Sequence, residues 1–192
     1  MRVISGSAGG IRLLVPPAEV RPTMDRVKAA IFSSLGERIL GARVLDLFAG
    51  TGGLGIEALS RGAASAVFVE GNRAAADAIE QNFVRTKLKG QLRRQEVFAF
   101  LESTNAHERF DIIFADPPYE KTNTGGEFTR LLLENRQVAG LLEPPGIFVL
   151  EKRPEEKMFA AELWQIVRAK KYGATEVLFL AHSPSQSSQA PG

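Results

Sequence analysis

Short apolar runs alternate along this chain with stretches in which apolar residues recur every three or four positions. The apolar runs predict strands, and the periodic stretches predict helices with one buried face. The predicted parallel strands follow the runs 44–45, 66–70, 92–98, 110–115 and 147–150. Predicted helices lie between them, at 56–61, 72–89 and 127–142. This alternation is typical of a parallel sheet with helices on both faces.

The two ends of the chain extend this pattern. Two short apolar runs around glycines, within residues 1–20, predict a small hairpin or arm outside the main sheet. A helix capped by Thr23 should follow and run to about Leu40. Near the other end, the runs 164–168 and 175–180 are separated by so short a turn that they must be antiparallel.

The predicted fold is therefore α/β, a Rossmann-like seven-stranded mostly parallel sheet with its last strand antiparallel and a small N-terminal extension. At 192 residues the chain has room for one such domain. We expect an arm and helix at 1–40 that belong to the same domain as the core at 41–182. A disordered tail rich in Ser, Gln and Pro should follow at 183–192.

Composition and charge narrow the functional classes. The formal net charge is only +2, which permits a nucleic-acid partner without arguing for one. The absence of cysteine excludes disulfides and cysteine-ligated zinc. His107 and His182 are isolated and lack metal-ligand spacing. With no signal peptide and no long apolar run, the sequence predicts a cytoplasmic protein without a membrane segment.

The first motif with chemical content is the stretch Asp46-Leu47-Phe48-Ala49-Gly50-Thr51-Gly52-Gly53-Leu54-Gly55. It joins a strand to a helix through a glycine-rich turn, where the backbone can approach a ligand closely and a helix N-terminus offers free N–H groups. About twenty residues after Gly50, the second strand ends in Glu70. An acid at that place accepts hydrogen bonds from the ribose hydroxyls of an adenosine.

This motif alone leaves alternatives open. Gly50, Gly52 and Gly55 also fit the dinucleotide pattern G-x-G-x-x-G, and a tight turn that binds nothing has the same outline. Asp46 favours a methyl donor, because a carboxylate there would repel a pyrophosphate but suits the ammonium group of S-adenosylmethionine.

The second motif, Asp116-Pro117-Pro118-Tyr119, follows the fourth predicted strand. The carboxylate of Asp116 and the carbonyl of Pro117 can accept the two hydrogens of an exocyclic base amine and direct its lone pair at a donor methyl. The prolines fix the backbone, and Tyr119 offers a flat face for an unstacked base. A rigid turn with a surface tyrosine is the alternative interpretation of the tetrapeptide.

With a third stretch, these motifs identify a resemblance. Arg21-Pro22-Thr23 with Asp25-Arg26-Val27, then Phe48 to Gly52 through Leu59-Ser60-Arg61, and Asp116 to Tyr119 make the chain similar to the RsmD family from about residue 2 to 181. Members of that family are bacterial methyltransferases acting on the N2 amine of one guanine in 16S ribosomal RNA. The resemblance implies the class I S-adenosylmethionine-dependent methyltransferase fold, S-adenosyl-L-homocysteine as product, no metal, and a monomer acting on 16S rRNA within an assembling 30S subunit.

The resemblance and the motifs together give a set of predicted site residues. Asp116, Pro117, Pro118 and Tyr119 are the catalytic set, and Arg21, Thr23 and Arg26 the substrate-binding set. The cofactor-binding set is Asp46, Phe48, Ala49, Gly50, Thr51, Gly52, Gly55, Glu70, Gly71, Asn72, Glu96, Val97 and Phe98. Two stretches depart from the family pattern: Glu96 stands where Asp or Asn is commoner, and 5–10 is an unusual version of the glycine-containing opening.

The motifs are also compatible with other functions. The runner-up is an amino-methyltransferase acting on adenine N6 in DNA or on a protein glutamine, although glutamine enzymes usually have Asn in place of Asp116. A non-catalytic RNA-binding factor would be expected to have lost Asp116 or the glycine turn. The basic run Arg85, Lys87, Lys89, Arg93 and Arg94 is either a solvated face or part of an RNA footprint.

Overall fold

The computed structural model describes residues 1–15, 24–105, 107–118, 126–156 and 162–184. The chain divides into two compact units, Met1–Ser103 and Thr104–Gly192. Arg21, Thr23 and Tyr119, and all but the first two residues of the predicted tail, lie outside the described residues. The predicted boundaries at 40 and 182 stay predictions. No helix within the described ranges is long and apolar enough to cross a membrane.

The described part of the first unit contains three parallel strands and four α-helices. The strands are β1 (Arg43–Leu47), β2 (Ser65–Val69) and β3 (Gln91–Arg93); the helices are α1 (Met24–Leu35), α2 (Gly53–Ser60), α3 (Arg73–Thr86) and α4 (Val97–Ser103). In the register, Val44 lies beside Ala66 and Val69 beside Arg93. Each strand therefore ends at the same edge as its neighbour.

The predicted N-terminal hairpin is confirmed. Arg2 and Arg12 form an antiparallel bridge, the amide of Val3 donates to the carbonyl of Ile11 (2.9 Å), and the amide of Gly10 donates to the carbonyl of Val3 (2.8 Å). Val3 is fully buried, so the hairpin covers apolar surface of its unit.

Two α-helices and four strands lie in the described residues of the second unit. The helices are α5 (Glu127–Glu134) and α6 (Arg136–Leu141), and the strands are β4 (Phe110–Ala115), β5 (Leu142–Lys152), β6 (Trp164–Tyr172) and β7 (Thr175–His182). Strand β5 is parallel to β4 and antiparallel to β7, and β6 is antiparallel to β7. Residues 112–115 of β4 are at most 1% exposed, as predicted for a strand covered on both faces.

The strand order of the seven-stranded sheet is β3-β2-β1-β4-β5-β7-β6. Only β7 runs against its neighbours, because β6 is antiparallel to β7 and so follows the direction of the parallel strands. The predicted fold class, mostly parallel with an antiparallel last strand, is confirmed.

Two predicted elements in the first unit are wrong in extent. The strand expected at 92–98 ends at Arg93, where the amide of Gln95 turns back to the carbonyl of Arg93 (3.1 Å), and Val97 and Phe98 begin α4. Val97, Phe100 and Leu101 form the buried face of that short helix, at a spacing that is helical. Helix α1 ends at Leu35, not near Leu40, and continues as the 3₁₀ turn Gly36–Ile39.

A third predicted element, the helix at 127–142, is two helices. Asn135 separates them, because its side-chain oxygen accepts the amides of Gln137 (2.8 Å) and Val138 (3.3 Å) and caps α6. Pro144-Pro145-Gly146, predicted as a break before the fifth strand, lies inside β5.

Candidate active site

The glycine-rich loop leaves β1 through backbone conformations that few residues adopt. Phe48 has φ +56°, Gly50 +55° and Gly52 +81°, all in the left-handed region. Glycine takes this conformation at little cost, but Phe48 does so against its preference, and such residues cluster at functional sites. The turn thus reverses the chain between β1 and α2 within a few residues.

Asp46 at the end of β1 binds the start of α2 and so holds this loop in place. Its side chain is 2% exposed, and its Oδ2 accepts the amide of Gly55 in α2 at 2.8 Å. A Cβ on Gly55 would lie 2.3 Å from the ring of Phe68, so only glycine lets the helix pack this closely on β2. The third glycine of the pattern therefore serves helix packing.

Glu70 joins the loop to the next helix. Its Oε2 accepts the amide of Gly50 (2.8 Å), and its Oε1 accepts the amide of Asn72 (2.7 Å). Asn72 in turn caps α3 by accepting the amide of Ala75 (3.1 Å). The structure brings these predicted cofactor residues together at the carboxyl ends of β1 and β2.

The predicted adenine-side residues lie at the same edge of the first unit. A Cβ on Gly71 would lie 2.3 Å from Oε1 of Glu96, so the Glu96 side chain rests against the Gly71 backbone. The rings of Phe48 and Phe98 meet edge to face with centroids 6.2 Å apart. Val97 is 2% exposed, so its side chain belongs to the core.

Thr51 carries an unused polar group inside the loop. The residue is 3% exposed, and its hydroxyl has no hydrogen-bond partner among the described residues. A buried hydroxyl without a partner costs free energy, and a bound ligand with polar groups would relieve that cost. This orphaned hydroxyl, beside the Gly50 and Glu70 contacts, fits a polar nucleoside cofactor.

Asn82 is a site-supporting residue that the sequence analysis missed. Fully buried in α3, it accepts the amide of Leu14 (2.7 Å) and donates to the carbonyls of Leu14 (3.0 Å) and Thr51 (3.0 Å). It connects Thr51 of the glycine loop to Leu14 of the N-terminal arm. Along the sequence, Leu14 precedes Arg21 and Thr23. The sequence could have indicated this role, because Asn82 stands three positions after Ile79 and so falls on the buried face of the helix.

A buried ionic cluster around Glu57 was also missed. The Glu57 carboxylate is fully buried and accepts the amides of Ile4 (2.7 Å) and Ser5 (3.1 Å) and the Nε of Arg61 (2.7 Å). Lys28 Nζ lies 3.4 Å from the same carboxylate and donates to the carbonyl of Arg2 (2.6 Å). Burial lowers the pKa of Lys28, and the charge of Glu57 opposes that shift. The cluster fixes the N-terminal hairpin to α1 and α2.

Of the three predicted substrate-binding residues, only Arg26 lies within the described part of the chain. It is exposed in the first turn of α1, next to Asp25, whose Oδ1 accepts the amide of Arg2 (3.2 Å). Its guanidinium is therefore accessible to a partner.

In the second unit, the tetrapeptide begins at the carboxyl end of β4. Asp116 is half-buried, Pro117 buried and Pro118 exposed. A pocket adjoins the prolines, and its lining residues are Pro117, Pro118, Gly126, Phe128, Thr129, Glu151, Lys152 and Glu156. Apart from the prolines, none of these was among the predicted site residues.

Lys152 supports the wall of that pocket. The residue is 1% exposed, and its Nζ donates to the carbonyls of Arg153 (2.7 Å) and Glu156 (2.9 Å) and pairs with Glu176 (3.0 Å). Glu156 in turn accepts the hydroxyl of Thr129 at 2.6 Å. The donors of this buried lysine are therefore directed at the backbone of the loop after β5 and at Glu176 of β7.

Within the described parts of the chain, no group of three or more His, Asp or Glu side chains has the geometry to hold a metal ion.

Comparison with known proteins places this site in a family context. The model of a family described as Conserved hypothetical protein 95 matches residues 1–181. The ribosomal RNA small subunit methyltransferase D of Haemophilus influenzae is 32% identical over 177 residues, which cover 90% of this chain and 89% of that protein.

Solved structures agree with this assignment. A hypothetical protein of Thermus thermophilus superposes with a TM-score of 0.78 at 32% identity, covering 95% of this chain and 99% of that one. The 16S rRNA N2 G1207 methyltransferase of T. thermophilus, solved with AdoMet and guanosine, gives a TM-score of 0.69 at 26% identity, covering 87% of this chain and 44% of that one. The chain belongs to the Conserved hypothetical protein 95 family, together with the small subunit rRNA methyltransferase D of H. influenzae.

Proposed function

We propose that this protein is an S-adenosylmethionine-dependent methyltransferase that modifies the exocyclic N2 amine of a guanine in 16S rRNA and releases S-adenosyl-L-homocysteine. The observation that carries the proposal is the Glu70 carboxylate, which holds the glycine loop at Gly50 and the start of α3 at Asn72. Both contacts lie at the carboxyl ends of parallel strands, where open α/β sheets bind their ligands.

The cofactor residues have distinct roles in this proposal. Glu70 accepts from the ribose hydroxyls, the Thr51 hydroxyl gains its missing partner, and Phe48 and Phe98 border the adenine with Glu96. Asp46 holds α2 through Gly55 and presents negative charge to the amino group of the methionine moiety. S-adenosylmethionine, when bound, supplies an electrophilic methyl on a sulfonium.

The tetrapeptide prepares the nucleophile. Asp116 and the Pro117 carbonyl accept the two N2 hydrogens, which localises the nitrogen lone pair and aligns it for in-line attack. The new N–C bond forms as the C–S bond breaks, and the electron pair of that bond stays on sulfur. The proton leaves the nitrogen after transfer, so no histidine base is required.

Two relatives support the choice of substrate. The H. influenzae relative is named for the small ribosomal subunit RNA, and the T. thermophilus neighbour for N2 of a 16S rRNA guanine. We place the reaction in the cytoplasm, on 16S rRNA within an assembling 30S subunit, with a monomer as the active form. Arg21, Thr23 and Arg26 are proposed to hold RNA beside the site.

The decisive experiment is transfer of radiolabelled methyl from S-adenosylmethionine to 30S particles, naked 16S rRNA and DNA from a strain lacking the enzyme. Mass spectrometry of the labelled nucleoside identifies the product. We expect N2-methylguanosine from RNA. Label in DNA or protein alone would overturn the proposal in favour of another amino-methyltransferase, and tight cofactor binding without any label would favour a binding-only role.

A further inference from the structure

Five basic side chains lie on the N-terminal hairpin, at the end of α3 and on the edge strand of the first unit. Arg85 lies in the last turn of the helix, Lys87 and Lys89 follow it, Arg93 is on the edge strand β3, and Arg12 belongs to the N-terminal hairpin. All five are exposed. We call these residues the basic patch.

One hydrogen bond joins two members of the basic patch from different elements. Arg85 donates through Nε to the carbonyl of Arg12 at 3.2 Å, which joins the helix end to the hairpin. The guanidinium of Arg93 reaches back to Oε1 of Gln91 at 3.4 Å, towards the loop that carries Lys89. Arg12, Arg85, Lys87 and Lys89 therefore belong to one region of the first unit, and Arg93 extends it along the edge strand.

The charges of the basic patch are uncompensated. None of its five side chains pairs with a carboxylate among the described residues. Arg94, one residue beyond Arg93, differs: it pairs with Asp77 (2.7 Å) and Glu80 (2.9 Å), whose hydrogen bonds raise its pKa. Among the described residues, the chain thus neutralises Arg94 beside the middle of α3 and leaves the helix end positive, where like charges repel one another.

The members of the basic patch at the end of α3 lie away from the cofactor edge of their unit, whereas Arg93 lies beside Val69 at that edge. Helix α3 begins just after Glu70 and has 14 residues, so its far end lies about 21 Å from that edge. A ligand that reached both places would have to be large and to carry negative charge at intervals.

We propose that the basic patch is a second RNA-contact surface, which binds the phosphate backbone of 16S rRNA while the target guanine is held at the cofactor edge. The proposal rests on the function proposed above. Because the net charge is only +2, such a local concentration of positive charge is where counterion release can contribute to affinity. The patch positions RNA without reading its sequence, since phosphate contacts carry no base information.

The test compares binding of 16S rRNA and 30S particles by the wild type, the double variant Lys87→Gln/Lys89→Gln and the control Arg94→Gln. Each phosphate contact adds about −0.9 to the slope of log K against log salt. One contact therefore raises the affinity at 0.15 M salt about fivefold relative to 1 M salt. The double variant should therefore lose about 25-fold and flatten the slope by nearly 2, with kcat unchanged. Arg94→Gln should keep more than half of the wild-type affinity, because the Arg94 guanidinium is already paired with Asp77 and Glu80.

A tethered probe locates the contact directly. The chain has no cysteine, so Val84→Cys, at a position that is 79% exposed beside Arg85, gives a single attachment point for an iron chelate. Hydroxyl radicals generated there should cleave 16S rRNA in the complex. Absence of cleavage, or equal losses in the double variant and Arg94→Gln, would overturn the basic patch as an RNA surface.

These results separate the two proposals. N2-methylguanosine formed with wild-type kcat/KM and an unchanged salt slope in the double variant would refute the patch and leave the methyltransferase intact. If RNA binding depends on salt and requires Lys87 and Lys89 but the protein methylates no RNA, the patch stands and the proposed methyltransferase function is refuted.

Discussion

At the scale of single residues, Asp116 makes the sharpest prediction. Asp116→Ala should lower kcat by at least about 10²-fold, because it removes an acceptor that is needed when the amine becomes a nucleophile. The Kd for S-adenosyl-L-homocysteine should change less than about threefold, since the carboxylate is assigned to the base. Single-turnover transfer and calorimetry measure the two quantities. Asp116→Asn, which keeps an acceptor oxygen, should retain more activity; equal loss of transfer and cofactor binding would contradict the assigned role.

Thr51 makes the second prediction at this scale. Its buried hydroxyl lacks a partner in the described residues, so Thr51→Val should leave the free energy of unfolding of the free protein unchanged or slightly higher. If the hydroxyl bonds the cofactor, the Kd for S-adenosyl-L-homocysteine should rise about threefold to tenfold.

A matched control for Thr51 exists in the same unit. Thr86 is 6% exposed, and its hydroxyl donates to the carbonyl of Asn82 at 2.6 Å. Thr86→Val should therefore lower the free energy of unfolding by about 1 kcal/mol and leave the Kd alone. An unchanged Kd in both variants would exclude the Thr51 hydroxyl from the cofactor site.

At the scale of elements, Asn82 links the glycine loop to the N-terminal arm. Asn82→Asp is isosteric, but it replaces two donated hydrogen bonds with a buried carboxylate facing the carbonyls of Leu14 and Thr51. We expect the Kd for cofactor and the KM for RNA to rise together, each by about tenfold, with about 2–4 kcal/mol lost from the free energy of unfolding. Binding of RNA with and without S-adenosyl-L-homocysteine measures the coupling, which should be weaker in the variant. A loss of stability with both constants and the coupling unchanged would reduce Asn82 to a structural role.

The buried pair of Lys28 and Glu57 gives a prediction on pH. Burial lowers the pKa of Lys28 in the folded state below the value of about 10.4 that it has in an unfolded chain. In the window between these two values the unfolded state binds more protons, so the free energy of unfolding should gain a component that rises with pH.

Lys28→Met tests that component. The variant should lack the rise between the lowered pKa and about 10.4, and it should be less stable overall, since Glu57 loses a partner while buried. Urea denaturation of both proteins at a series of alkaline pH values measures this. Parallel stability curves would show that Lys28 does not titrate differently in the folded state.

Elements also show what the sequence could and could not predict. The glycine loop and Glu70 were found because strand, turn and acid have a fixed spacing along the chain, and the order of apolar runs sufficed for the fold. The strand predicted at 92–98 failed because Val97 and Phe98 are as apolar as a strand, and only the helical spacing of Val97, Phe100 and Leu101 distinguishes α4. Asn82 and Glu57 were missed because most of their partners are distant in sequence, and Lys152 because its polarity alone suggests a solvated face. The pocket beside Pro117 was missed for the same reason, since its walls come from β5 and α5.

At the scale of the whole molecule, charge decides which form of the RNA is the better substrate. Five of the 24 basic residues lie in the basic patch, which leaves 19 elsewhere against 22 acidic residues. Outside the patch, non-specific attraction to phosphate should therefore be weak. The rest of the affinity should come from shape, with the RNA already folded so that one segment meets the patch while the target guanine reaches the cofactor edge.

An assembling small subunit provides RNA in such a fixed shape, whereas naked 16S rRNA has to order itself on the enzyme and loses affinity by the cost of that ordering. We predict that kcat/KM for 30S particles exceeds that for naked 16S rRNA by at least about tenfold at 0.15 M salt, mostly through KM. Initial rates on both substrates measure this, and lowering the salt should narrow the difference because attraction to phosphate then strengthens for both. A higher kcat/KM on naked RNA at every salt concentration would mean that the enzyme recognises a local RNA element by itself and acts before the ribosomal proteins bind.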